Sequence, residues 1–301
     1  GPTFGDLSPK PTWLAGLDAV VIDLQDVGSR YYTYVWTAAL MVKACAEAGI
    51  RAVVLDRPNP LGGAVVEGAP VRPGFRSFVG LYDVSVRHGM TIGELAVMAA
   101  ELDGIDRSCL SVVTMEGWER RMYFDETGLP WVLPSPNMPT FDTALVYPGG
   151  CLLEGTNLSD GRGTTRPFEL FGAPYVSGAA LAELEIDGAV LRPVTIEPTF
   201  HKHARQACGG VQVHVVDRSV FAPYAAYLQL IARCRSLGGD AFQWRTEVYE
   251  YVDDIPAIDL LTGDATYREA ADDGDLASVL AAERAGAEAF RTRREPWLLY
   301  P

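Results

Sequence analysis

The sequence predicts an α/β chain, with a parallel-sheet domain over residues 1–150 and a smaller mixed α+β domain over residues 151–301. Three observations predict it. First, two short, β-branched apolar runs, residues 19–24 and 51–55, flank a helix-like segment, residues 34–48, that stops at Gly49. A strand–helix–strand order of this kind folds as a βαβ unit with parallel strands and a right-handed crossover. Second, beyond residue 150 the βα alternation gives way to extended segments mixed with helices. Third, 301 residues with 48% hydrophobic and 21% charged content suit an ordinary globular protein of one large or two domains.

The elements follow in order. Residues 1–12, with three prolines and two glycines, read as loop. After the first strand comes a polar turn, then the helix over 34–48, with Gly49 as its stop signal. Residues 57–80 form a long connection broken by glycine and proline, a length that inside a compact domain signals function. Residues 84–86 read as a short strand. Thr91 caps a helix over 92–102, and Glu94 completes a capping box. Residues 110–115 are a further strand, and 118–124 a helical or partly buried connection. A proline-rigid loop, 133–139, precedes a packed segment, 141–153. Then come a short helix at 179–184, extended segments at 190–196 and 210–216, an amphipathic helix over 221–237 and a mostly helical end, 265–300.

In open α/β sheets, ligands gather at the carboxyl ends of the strands. Asp23, Gln25, Asp26 and Arg30 follow the first strand, and Asp56, Arg57 and Asn59 the second, so both sets should face one crevice. Residues 154–169 add a dense polar stretch with three acids, two arginines and three glycines. It is anchored by apolar segments on both sides, as a binding loop on a rigid scaffold is. The ordinary alternative for such a composition is a solvated surface loop.

Composition removes several function classes. A net charge of −14 argues against nucleic acid and anionic membrane surfaces, which need clustered cations. It leaves room for an anionic small substrate held by a local arginine. No apolar run approaches the roughly 20 residues of a membrane span. Five scattered cysteines without a CxxC pair read as buried free thiols. Gly161-x-Gly163 lacks a third glycine, because Arg166 stands there, and no buried strand leads into it, so it is no dinucleotide site. There is no P-loop, no G-x-S-x-G elbow and no HExxH. His201 and His203 stand two apart, and a surface or substrate contact outweighs a metal site for them. Neither a metal nor a cofactor is expected.

Carboxylates remain: Asp23, Asp26, Asp56, Glu67, Glu154, Asp160 and Glu169, all at strand ends or in glycine-rich loops. Glycoside hydrolysis needs such material: one acid held protonated, a second group facing an oxocarbenium-like centre, and polar side chains for hydroxyls. For any single acid the ordinary alternative is a salt bridge or cap. Arg30 and Arg162 either pair with these acids or grip a substrate carboxylate by a bidentate fork. Tyr31, Tyr32, Tyr34 and Trp36 suit a sugar-stacking face and a plain core equally well.

Asp23-Leu-Gln-Asp-Val-Gly-Ser-Arg-Tyr-Tyr-Thr-Tyr34, Leu55-Asp-Arg-Pro-Asn-Pro60, Val86-Arg-His-Gly-Met-Thr-Ile-Gly-Glu94, Pro134-Ser-Pro-Asn-Met-Pro139 and the 154–169 stretch together resemble the NamZ-like exo-β-N-acetylmuramidases, formerly a domain of unknown function. The resemblance runs from about residue 12 to the C-terminus. It implies a Rossmann-like α/β domain, N-terminally incomplete here, a smaller C-terminal domain, and an active-site cleft between them. It implies exolytic release of N-acetylmuramic acid from the non-reducing end of peptidoglycan fragments, in cell-wall turnover or recycling, by a secreted, periplasmic or cell-envelope protein. Its partner would be a muropeptide or muramic-acid-terminated saccharide; the oligomeric state stays open.

On this resemblance Glu154, Glu169 and Asp26 are the catalytic candidates. Arg30 or Arg162 would hold the lactyl carboxylate. Asn59, His88, Asn137 and Asn157 would bind hydroxyls and the acetamido group, with Tyr32, Glu67 and Thr164 beside them. The 2-acetamido group is a candidate for assisting the reaction itself. The resemblance also implies an upstream strand–helix region with a Gly-Pro-Glu-His-Gly motif, whose glutamate is expected to be catalytic and which the 301 residues do not contain. Asp160 stands where a glutamate is expected, one methylene shorter. The alternatives are a non-catalytic muropeptide- or sugar-binding module and, more weakly, a metal-dependent hydrolase using His201 and His203.

Overall fold

β-Branched runs pair edge to edge when helices cover them, and the computed structural model, which describes residues 7–301, shows this arrangement. A short helix α1 (Pro11–Leu14) precedes β1 (Ala19–Ile22), α2 (Tyr34–Ala48), β2 (Arg51–Leu55), α3 (Ile92–Leu102) and β3 (Leu110–Val113). The strands form a parallel sheet in the order β1-β2-β3, with Val21 opposite Val53 and Val54 opposite Val112. Gly49 ends α2 in the left-handed region at φ 69°, where glycine carries no Cβ penalty. Thr91 and Glu94 form the expected capping box of α3. Glu94 also accepts from Arg120 Nη2 at 2.5 Å and from the Leu299 amide at 2.8 Å, which ties the C-terminal tail to this helix.

Two expectations change here. The strands are not buried on both faces, since Val21 and Val113 are 61% and 53% exposed while Ile22, Ala52 and Val54 are buried. Residues 84–86 form no strand; Arg87 instead bridges Ser29 and Glu67 as an isolated pair of contacts.

The second half begins with α4 (Phe141–Gly150), then β4 (Leu170–Ala173), α5 (Gly178–Leu181), β5 (Ala189–Ile196) and β6 (Cys208–Val215). It ends with α6 (Pro223–Gly238), α7 (Ala257–Thr262), α8 (Thr266–Asp273) and α9 (Leu276–Arg293). β4, β6 and β5 form an antiparallel sheet in that order. β4 carries no clear strand signal because Gly172 and Ala173 lack β propensity. Close backbone approach defines it instead: Gly172 pairs with Gly210, and a Cβ at Gly210 would collide with the Phe171 carbonyl oxygen. Gly210→Ala is therefore expected to cost about 1–3 kcal/mol by overpacking, read as a lower midpoint in chemical denaturation.

Two apolar cores result, and they exchange chain segments. The core around Trp36, Val54, Leu95 and Met98 is completed by Phe290 and Trp297 from the far end of the chain. The core around Phe168, Phe171, Tyr227 and Ile231 takes in Val27, Tyr31, Tyr32 and Val79. This exchange brings residues 31–34 to the seam beside α4 and the 154–169 stretch.

Candidate active site

Gly149 lets α4 lie directly against α6, since a Cβ there would strike the Pro223 carbonyl and the Tyr227 ring. The chain then tightens into a 3₁₀ turn, Cys151–Gly155, which presents Glu154. Glu154 Oε1 accepts from Arg162 Nη2 at 2.6 Å, and Oε2 accepts from the Tyr249 hydroxyl at 2.9 Å. The other arm of the fork, Arg162 Nη1, donates to Asp160 Oδ2 at 2.6 Å. Gly161 (φ 77°) and Gly163 (φ 84°) turn the backbone back here, where a Cβ would meet the Leu170 carbonyl or the Phe200 backbone.

Asp160 is fully buried beneath this pair, with His201 Nδ1 at 3.6 Å and Lys202 Nζ at 3.9 Å. Burial opposes its ionisation, but the nearby His201 ring and the charges of Arg162 and Lys202 win, and its carboxyl lies well below the usual carboxylate range. Burial lowers the Lys202 ammonium, against the pull of Asp160 and Glu154. The array is thus an alternating chain of charges, Glu154–Arg162–Asp160–Lys202, with its outer end at Glu154.

That outer end opens into a cavity of about 240 Å³ at the seam between the two cores. Tyr31, Tyr32 and Tyr34 wall one side; Tyr147, Phe168 and Tyr249 wall the other; Asn137 and Ser135 reach in from the proline-rigid loop. Phe168 takes a left-handed conformation (φ 66°), fixed by the Tyr227 hydroxyl donating to its carbonyl at 2.6 Å. Its ring then lies 4.9 Å from both the Arg162 guanidinium and the Tyr147 ring. Among the described residues the buried hydroxyls of Tyr31 and Tyr32 have no hydrogen-bond partner, which leaves them to a polar ligand.

Of the predicted site residues, Glu154, Arg162, Tyr32 and Asn137 line this cavity. Others are placed elsewhere. Glu169 lies across Phe168 in a separate cavity of about 190 Å³ beside β6. There it accepts from Thr143 Oγ1 at 2.6 Å and from Arg166 at 3.4 Å, clamping the loop to α4. Arg30 is fully buried, and its fork donates to the carbonyls of Val84 (2.9 Å) and Leu261 (2.5 Å), so it is a structural residue and not the anion ligand. Asp26 accepts from the Gly28 amide and faces His88 Nε2 at 3.3 Å, both side chains buried. Asn59 bridges the Met90 carbonyl and the Leu61 amide.

Glu67 is buried between Arg87 and the Tyr224 amide, on the wall of a larger cavity of about 730 Å³ between α6 and α9. Asn157 is spent on Tyr175, Gln243 and Ala241, and Thr164 on the Gly161 carbonyl. His203 bonds the Asn157 carbonyl, so it and His201 serve different partners. Sequence reasoning missed Tyr147, Tyr249 and Glu250, which also line the cavity. The last two come from a segment 95 or so positions after Glu154 with no local motif to mark them.

A pocket of one-ring size, walled by tyrosines and entered by a carboxylate on a guanidinium, suits a sugar ring, and the class of the protein is glycosidase. Two adjoining family models match it: exo-beta-N-acetylmuramidase NamZ, N-terminal, over residues 4–142, and exo-beta-N-acetylmuramidase NamZ, C-terminal, over residues 145–300. The chain belongs to the NamZ exo-β-N-acetylmuramidase family. It is 41% identical over 297 residues to the peptidoglycan beta-N-acetylmuramidase NamZ of Bacillus subtilis (strain 168), covering 97% of this chain and 70% of that one.

Two crystal structures of DUF1343 family proteins from Bacteroides fragilis NCTC 9343 share the fold. One has a TM-score of 0.88 and 31% identity over 98% of this chain and 78% of its own. The other has 0.77 and 26% over 97% and 78%. The N-terminal family model is matched from residue 4, and the chain spans 70% of the length of the Bacillus subtilis relative.

Proposed function

We infer that the protein is an exo-β-N-acetylmuramidase acting on peptidoglycan fragments, with the cavity at Glu154 as its sugar site. The family membership and the 41% identity to a peptidoglycan beta-N-acetylmuramidase support the activity. The observation that carries the location is the open end of the charge array, where the Glu154 carboxylate meets a tyrosine-walled cavity. At about 240 Å³ the cavity falls below the roughly 300–1,000 Å³ of sites that engulf drug-sized ligands. It takes one terminal sugar rather than a stretch of chain, as exolytic cleavage requires.

In this reading the tyrosine walls seat the ring, the Tyr31 and Tyr32 hydroxyls and Asn137 hydrogen-bond its substituents, and the carboxylate of Glu154 stabilises positive charge at the anomeric carbon. Arg162 and the Tyr249 hydroxyl fix the position of Glu154 before substrate arrives. Action in the cell envelope or outside the cell belongs to the same proposal and rests on the substrate alone. Among the described residues no helix is long and apolar enough to cross a membrane. Incubation with 4-nitrophenyl β-N-acetylmuramide tests the reading. Nitrophenol release, with the corresponding N-acetylglucosaminide untouched, is the expected result; no release overturns it.

A further inference from the structure

The larger cavity, about 730 Å³, lies between α6 and α9 and shares no lining residue with the cavity at Glu154. Its inner wall is fixed by close packing of the backbone. A Cβ at Gly286 of α9 would strike Ala69, and one at Gly68 (φ 77°) would strike the Val86 side chain and crowd the Tyr224 ring. The loop through Glu67 is thus pressed between α9 and α6.

Two acids reach the cavity from this wall. Glu67 is spent, on Arg87 at 2.9 Å and on the Tyr224 amide at 3.1 Å. Glu283 is not. It is buried, its Oε2 accepts from the Ala69 amide, and Oε1 has no hydrogen-bond or ion-pair partner among the described residues. Tyr224 lines the same wall and is 1% exposed. Its hydroxyl lies beside the Glu283 carboxyl and has no hydrogen-bond partner among the described residues. Arg30 acts on Glu283 through its charge alone, since its fork is spent on backbone carbonyls. Burial raises the Glu283 carboxyl above the ordinary glutamate range. A carboxylate oxygen and a phenol oxygen, both unspent at one wall of a cavity, lack a donor that buried polar groups ordinarily have.

The rest of the lining narrows the donor. Glu185, Asp187 and Glu288 stand at the exposed margin with one cation, Arg284. An anionic ligand is disfavoured there. Between the margin and the inner wall the surface is apolar, with Val66, Ile186, Val220 and Leu280. An ammonium on an alkyl stem matches this order: it has three N–H donors and no acceptor, and its methylenes pack on apolar surface. The volume lies within the roughly 300–1,000 Å³ of sites that engulf ligands larger than one sugar ring.

We propose that this cavity is a second binding site, which takes a primary ammonium on an alkyl stem and seats it on Glu283 and the Tyr224 hydroxyl. The ammonium is carried by a free polyamine or by a short lysine-bearing peptide. Neither Glu283 nor Tyr224 lines the sugar cavity, so the inference goes beyond the muramidase reading and can fail without it.

Calorimetric titration with spermidine, and with a tripeptide of central lysine blocked at both ends, tests the site. Saturable one-to-one binding of at least one probe is expected. Tighter binding of spermidine identifies a free polyamine as the source, and tighter binding of the tripeptide a peptide. Glu283→Gln keeps an acceptor for the Ala69 amide but removes the charge, and should weaken binding about 10–100-fold. Tyr224→Phe leaves the Ala69 contact untouched and should weaken it about 2–10-fold. Cooperative thermal unfolding of both variants checks that the fold is kept. Acetylation of the tripeptide's lysine should abolish its binding. No saturable heat with either probe at millimolar concentration, or equal affinities in the unmodified protein and both variants, overturns the proposal.

Discussion

Asp160→Asn is expected to destabilise the protein by about 3 kcal/mol, because it removes a fully buried anion that sits between two half-buried cations. Asp160 is fully buried and faces Arg162 at 2.6 Å, with Lys202 and His201 beyond. Without it, among the described residues, the Arg162 fork keeps Glu154 as its hydrogen-bond partner and Lys202 keeps the Leu153 carbonyl. The pH dependence follows from the direction of its shift. The folded carboxyl lies below its unfolded value, so its stabilising contribution is complete above the unfolded pKa of about 3.9 and disappears as pH falls through the folded one. Denaturation of the unmodified protein should therefore show stability falling from about pH 5 downward, and Asp160→Asn should show a shallower slope over that range. Equal slopes would remove Asp160 from the account of acid sensitivity.

Glu154→Gln is expected to have the largest effect on activity. The amide is nearly isosteric and still accepts from Tyr249, but it carries no charge opposite the anomeric carbon. Removing one preorganised electrostatic group of this kind costs about 10²–10³-fold in kcat. Because the group acts on charge that develops only in the transition state, kcat should fall and KM should hold. Steady-state kinetics on the nitrophenyl glycoside separates the two parameters. A rise in KM at unchanged kcat would recast Glu154 as a binding residue.

Much of the first half was legible because its signals are local. The boundaries of α2 and β2, the Gly49 stop and the Thr91–Glu94 capping box all follow from short-range patterns, and each appears in the structure. β4 was not legible, since its two small residues are dictated by the backbone of Gly209 and Gly210 across the sheet.

The site was legible in part for the same reason. Glu154 and Arg162 belong to one glycine-rich loop, and the loop closes on itself. The strand-end residues Arg30, Asn59 and Glu67 look like ligand groups in sequence, yet each satisfies buried backbone or a buried partner. Residue type cannot distinguish a polar group that grips a substrate from one that grips a carbonyl. Tyr249 and Glu250 reach the cavity by a turn whose residues contradict turn chemistry, and only the positive φ values make that contradiction visible.

The most direct test of where the chemistry occurs is a crystal structure of the Glu154→Gln protein with an N-acetylmuramic-acid-terminated disaccharide. The account predicts the terminal ring between Tyr32 and Tyr249, its anomeric carbon facing residue 154. A disaccharide seated instead at Glu169 beside β6, or between α6 and α9 at Glu67, would contradict it.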